Sequence, residues 1–121
     1  MSGMLFDLAL ALLVAHELDA VHRHEWRMFP LLRRLDDRLG YAVFLLLHVP
    51  LVAVILWLAT APPPGWGGPF RIAFGAFCVL HVGLHRLYAS HPANEFGGAL
   101  SRSLIWATGL AGAALVAVEM A

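Results

Sequence analysis

Lysine is absent from this 121-residue sequence, and cysteine occurs once. All eight basic residues are arginine, and the lone thiol, Cys78, excludes an internal disulfide and a cysteine-built metal site. Charge of either sign is scarce, at 13% of residues against about 25% in an ordinary soluble domain. Acidic and basic residues balance, so with neutral histidines the net charge is zero and nothing points to a nucleic-acid partner. No charged residue occurs between Arg38 and Arg71, or between Arg102 and Glu119. Such lengths suit transmembrane helices. In place of charge the chain is 60% hydrophobic, with a mean hydropathy of +0.75. The opening MSGMLFDLALALLVA has no basic n-region, carries Asp7 and lacks a convincing small-x-small cleavage site, so it is expected to stay as a helix of the mature chain.

These features predict an all-α fold: one domain over residues 1–121, a four-helix transmembrane bundle. The helices are expected over about residues 5–29, 41–60, 70–89 and 93–118. Pro30 stops the first, and Gly40 breaks the short interfacial segment PLLRRLDDRLG before the second. The second contains His48 and Pro50, and the run APPPGWGGP after it reads as a tight loop. Ser90 and Pro92 read as the N-cap and first turn of the fourth helix. Gly109 and Ala113, four apart, form a small-xxx-small packing face, and Trp57 and Trp66 suit an interfacial belt. Arginine collects in the first and third connections, so the positive-inside rule puts both termini on the non-cytoplasmic side of a bacterial inner membrane.

The stretch over residues 12–29, LLVAHELDAVHRHEWRMF, starts as an apolar run and then fills with His, Asp and Glu. Ionisable groups in hydrocarbon are costly, which makes them a functional-site hypothesis. With the topology above, His16, Asp19, His48, His81, His85 and Glu95 fall in one layer near the cytoplasmic face. Imidazole and carboxylate suit transition metals, and helical bundles build one- and two-metal sites from such groups. These six residues are the expected metal ligands, for iron or zinc. Glu25 and Tyr88 are candidates for proton transfer, and Arg23 for a supporting contact. Glu17 lies about 100° around the helix from His16, so the two are not expected at one site. His22, His24 and Glu25 also fit a wet headgroup-facing surface, and His91 fits a surface loop.

The helix 1 residues His16-Glu17-Leu18-Asp19-Ala20 and Glu25-Trp26-Arg27, with Phe29-Pro30, His48 and the His81…Tyr88…Pro92 run, resemble two groups of small bacterial membrane proteins of unknown function. One is named for an HxxEE motif, and the other carries a HELDA…EWR signature. The resemblance implies a compact multi-helix membrane fold with a His/carboxylate site. The sequence departs from the strict motif, since Asp19 and then Ala20 follow His16 where the two Glu would stand. Either a ligand is missing, or Glu25 replaces it.

Three functions are open on this reading. One is a metal-dependent membrane oxidoreductase or hydrolase acting on a lipophilic small molecule. Another is a b-type haem protein, with His48 and His81 or His85 as axial ligands. The last is a non-enzymatic small subunit or assembly factor of a membrane complex, the polar layer serving packing or proton relay. Membrane lipid is an expected partner in each, and a homo-oligomer or a larger complex is open.

Overall fold

The computed structural model describes residues 1–121 and contains four α-helices and no strand. They are α1 (Ser2–His22), α2 (Asp37–Thr60), α3 (Gly67–Leu87) and α4 (Ala99–Met120), with 3₁₀ turns at Glu25–Arg27 and Leu32–Arg34. α3 and α4 pair most closely, α1 lies along α4, and α2 joins the others mainly through the 3₁₀ turns at one end. Helices α2, α3 and α4 are long and apolar enough to cross a membrane. With 24 residues and a rise of about 1.5 Å each, α2 spans roughly 36 Å. Its Leu45, Leu46, Val49 and Leu56 face outward.

Each helix buries one stripe. In α1 this is Phe6, Ala9, Leu13, His16 and Ala20, whose three- and four-residue spacing keeps them on one face. In α3, Phe74, Cys78 and His81 continue the same pattern. One apolar cluster, including Phe6, Leu13, Phe74, Cys78 and Leu115, fills the end of the bundle that holds the termini. A second, including Trp26, Met28, Phe44, Val82, Phe96 and Ile105, fills the arginine-rich end. The α3–α4 contact is built on glycine: a Cβ on Gly112 would lie 2.6 Å from the backbone Gly75 O, and one on Gly109 would lie 2.3 Å from the side-chain Val82 Cγ2. The small-residue face of α4 is thus used inside the chain, with Gly109 and Gly112 in the contact, while Ala113 lines an outer groove beside Ala76 and Leu80. An Arg71–Glu119 ion pair ties α3 to α4 at the far end.

Several boundaries differ from the sequence expectation, and the reasons are local. α1 ends at His22 because His24 adopts a left-handed backbone (φ 53°, ψ 43°), which turns the chain back on itself. Residues 25–29 therefore fold under the bundle instead of extending the helix. Asp37 secures that turn by accepting from Trp26 Nε1 (3.0 Å) and from Arg27 Nε (2.7 Å) and Nη2 (2.8 Å). α2 begins earlier than expected, capped by Asp36, whose side chain accepts from the Leu39 N–H at 3.0 Å. Gly40 is inside its first turn and breaks nothing; a Cβ there would meet Trp26 Cδ1 at 3.0 Å. α3 takes in Gly67, Gly68 and Pro69 from the expected loop. α4 starts at Ala99, six residues after the expected Ala93, with Gly98 and not Ser90 as its N-cap. The intervening segment is held by Asn94, which donates to Ala89 O and accepts from the Phe96 N–H.

Candidate metal centre

The buried stripes of α1 and α3 bring His16, His81 and His85 together. His85 Nε2 lies 3.1 Å from His16 Nε2 and 3.1 Å from His81 Nε2, and the three ligand nitrogens all lie within 4.8 Å of one another. The rings meet edge to face, with centroids 4.7–4.8 Å apart. Phe96, from the α3–α4 connection, packs on His16 and His85 and closes one side. His16 is wholly buried.

A neutral imidazole carries one N–H and one lone pair. The single Nε2 of His85 cannot make two well-formed hydrogen bonds to two further Nε2 atoms, so the cluster is poorly satisfied by its own protons. One cation among the three lone pairs satisfies them all. Metal–nitrogen bonds of about 2.0–2.1 Å place tetrahedral ligands roughly 3.3 Å apart, close to the two 3.1 Å separations at His85. The donor set therefore fits a transition metal.

The refolded 3₁₀ turn supplies the next group. Glu25 is 6% exposed, and its Oε1 is 3.7 Å from His85 Nε2, with no hydrogen bond to its carboxyl. Burial pushes this carboxyl up to about 8, and the nearby carboxylates of Glu17 and Asp19 add to the shift. Glu25, His81, His85 and Tyr88 share the lining of a cavity of 160 Å³ with Met28, Phe29 and Leu84. Glu25 and His81 also border a larger cavity of 540 Å³, open at one side, between α2 and the rest of the bundle. Its walls are mostly apolar, among them Phe44, Leu47, Leu51, Phe77 and Leu84.

The other expected ligands stand elsewhere. Asp19 is on the His16 face but bonds Arg23 Nε through Oδ1 at 3.2 Å. Its Oδ2 and His16 Nδ1 are both buried without a partner. His48 donates from Nδ1 to Phe44 O at 2.7 Å and turns Nε2 toward Glu17 Oε2 at 3.0 Å, so it is not in the three-histidine cluster. Glu95 is not at the start of a helix. It lies in the α3–α4 connection, accepts from His24 Nδ1 at 3.0 Å and pairs with Arg27. The expected single layer of six ligands is thus three histidines plus separate pairs, because the early end of α1 and late start of α4 move Glu95 onto the outer turn. His22 is exposed, and His91 stacks near Tyr88 and lies 3.3 Å from Arg33 Nη1. Glu17 is off the His16 face, as helical phase requires. What phase hides is that its side chain reaches His48 on α2.

Fold and site together define a small all-helical protein with helices fit to cross a membrane and a buried histidine cluster able to hold a metal ion. The chain belongs to the family described as Family of unknown function (DUF6713), which matches residues 3–121. No curated protein and no solved structure matches it.

Proposed function

We propose that this is an integral membrane protein in which His16, His81 and His85, with Glu25, bind a transition metal, iron or zinc, and that the centre serves a metal-dependent reaction on a lipophilic molecule. The observation that carries the reading is the convergence of three Nε2 atoms, two of them 3.1 Å from that of His85, in an arrangement their own N–H groups cannot satisfy. When bound there, such a metal supplies Lewis-acid or redox chemistry at neutral pH. The chain's own groups do the rest: Phe96 excludes water from one side, Glu25 gives up its proton as its carboxylate joins the imidazoles, and Tyr88 presents a hydroxyl-bearing ring to the same cavity. The 540 Å³ cavity supports the choice of substrate class, since it is apolar and reaches the site between helices and not through a water-facing domain. Glu25 beside His85 also suits the view that it replaces the second Glu of the HxxEE-type motif.

The haem alternative has less support. The imidazoles of the cluster touch one another and Phe96, leaving no slot for a macrocycle, and His48 is engaged with Glu17. A non-enzymatic subunit remains the reading to which a metal-free protein would lead. The deciding experiment is elemental analysis with an absorption spectrum on detergent-purified protein made without a histidine tag. At least one equivalent of metal per chain is expected, lost in His81→Ala and in His16→Ala. A metal-free, colourless wild type overturns the proposal.

A further inference from the structure

Glu17 and His48 lie across the 540 Å³ cavity from the three-histidine cluster and belong to none of its contacts. Their geometry raises the same question as the cluster. His48 Nδ1–H is committed to Phe44 O at 2.7 Å, which leaves Nε2 as a bare lone pair in the neutral ring. That lone pair faces Glu17 Oε2 at 3.0 Å, and both side chains are only about one-quarter exposed, at 26% and 27%. An imidazole lone pair and a carboxylate oxygen repel unless a proton or a metal cation stands between them, and a separation of 3.0 Å suits either. Glu25 is the second observation. It is more than nine-tenths buried, accepts no hydrogen bond, and lines both the cavity that holds His85 and the cavity that holds Glu17 and His48. His81 lines both as well. A carboxylate has two oxygens, so it can give one to each of two cations.

We infer that Glu17 and His48 form a second metal position, joined to the three-histidine position through the Glu25 carboxylate, so that the full site takes two transition-metal ions. The ligands are then His16, His81 and His85 for the first ion, Glu17 and His48 for the second, and Glu25 between them. Two ions on a shared carboxylate suit a substrate that needs both an attacking and a departing oxygen held, or two redox equivalents delivered at one place. The second position is also the one that borders the apolar walls at Leu47 and Leu51, where a lipophilic molecule would lie.

This rests on the three-histidine centre proposed above, and one titration separates the two. The full-length protein in detergent is stripped with a chelator and titrated with cobalt(II), followed by d–d absorption and by bound metal after desalting. Two equivalents are expected for the wild type. Glu17→Gln and His48→Gln should each bind one, keeping the bands of the first site, with affinity for the second equivalent down at least tenfold. His81→Gln should weaken the first. If the wild type saturates at one equivalent and Glu17→Gln and His48→Gln match it, the pair shares only a proton and the inference fails while the first centre stands. If the wild type binds none, both fail. Retention of the first-site bands in the variants shows that they are folded; if those bands are lost, bound stoichiometry in Glu17→Asp, which keeps a carboxylate, decides, with two equivalents expected and one overturning the inference.

Discussion

Glu25 shows how much one side chain's surroundings decide. Its carboxyl is held near 8 by burial and by two neighbouring carboxylates, against about 4.5 in an unfolded chain. The folded state therefore keeps the proton over a range in which the unfolded state has lost it. In metal-free protein, stability from this group is complete below about pH 4.5 and declines as pH rises toward 8, by a few kcal/mol in all. Melting temperature measured against pH should fall across that range, and Glu25→Gln should flatten the decline and be the more stable form at pH 8. Metal reverses the preference, because it binds the carboxylate, so uptake at neutral pH should release protons into a weakly buffered solution. Asp19 gives a second test. Its Oδ2 and His16 Nδ1 are both buried and unpartnered, three residues apart on one face, and a ligating imidazole is ordinarily steadied through its other nitrogen. Asp19→Asn should weaken metal binding by about 10–100-fold while leaving the stoichiometry unchanged, as read by competition with a chelator.

Among the elements, the α3–α4 pair sets the spacing that brings His81 and His85 against α1. Gly75 and Gly112 approach so closely that a methyl on either meets the other's backbone at 2.6–2.7 Å. Gly112→Ala should cost about 1–3 kcal/mol through overpacking, seen as a lower melting temperature in detergent. Gly83→Ala is the matched control, since a Cβ there meets nothing within 4 Å, and it should be neutral or stabilising by up to about 1 kcal/mol. The turn after α1 is the other decisive element. His24 in the left-handed region and the Trp26–Asp37–Arg27 contacts turn Glu25 inward. Helical periodicity signalled the inward stripe of α1 well, because spacing of three and four is a local property. It gave no warning of this turn, because a straight helix to Pro30 breaks no local rule, and the turn is held by Asp37, ten or eleven residues on.

For the molecule as a whole, helix number and class were legible in the sequence, and so was membrane fitness for α2, α3 and α4; α1, expected from the sequence to be a fourth span, is not among the helices long and apolar enough to cross. The proposed orientation follows from arginine placement and has its own check: a cysteine at Ser2 or Ala121, in a Cys78→Ala background, should react with an impermeant maleimide added outside intact spheroplasts, and one at Arg34 only after lysis. Labelling in the opposite pattern would invert the topology without touching the site. The cavity beside α2 is a whole-molecule feature. It exists because α2 is tied to the rest chiefly through the 3₁₀ turns, so Phe44, Leu47, His48 and Leu51 wall a space that Glu17, Glu25 and His81 border from the other side.

The division between the two levels is physical. Composition, charge gaps and helical phase are properties of neighbouring residues, and they sufficed for an all-α, four-helix chain with His16, His81 and His85 facing inward. Which inward groups share one point depends on where helices end and how they lean, and those are settled by contacts far apart in sequence. Asp37 holding the turn under α1 placed Glu25 beside His85, and the same turn drew Glu95 to His24 on the outside. The way α2 is tied to the rest through the 3₁₀ turns gave His48 to Glu17 and not to the three histidines. No local pattern encodes those pairings, because each partner lies on a different helix or turn, and only packing brings them within reach.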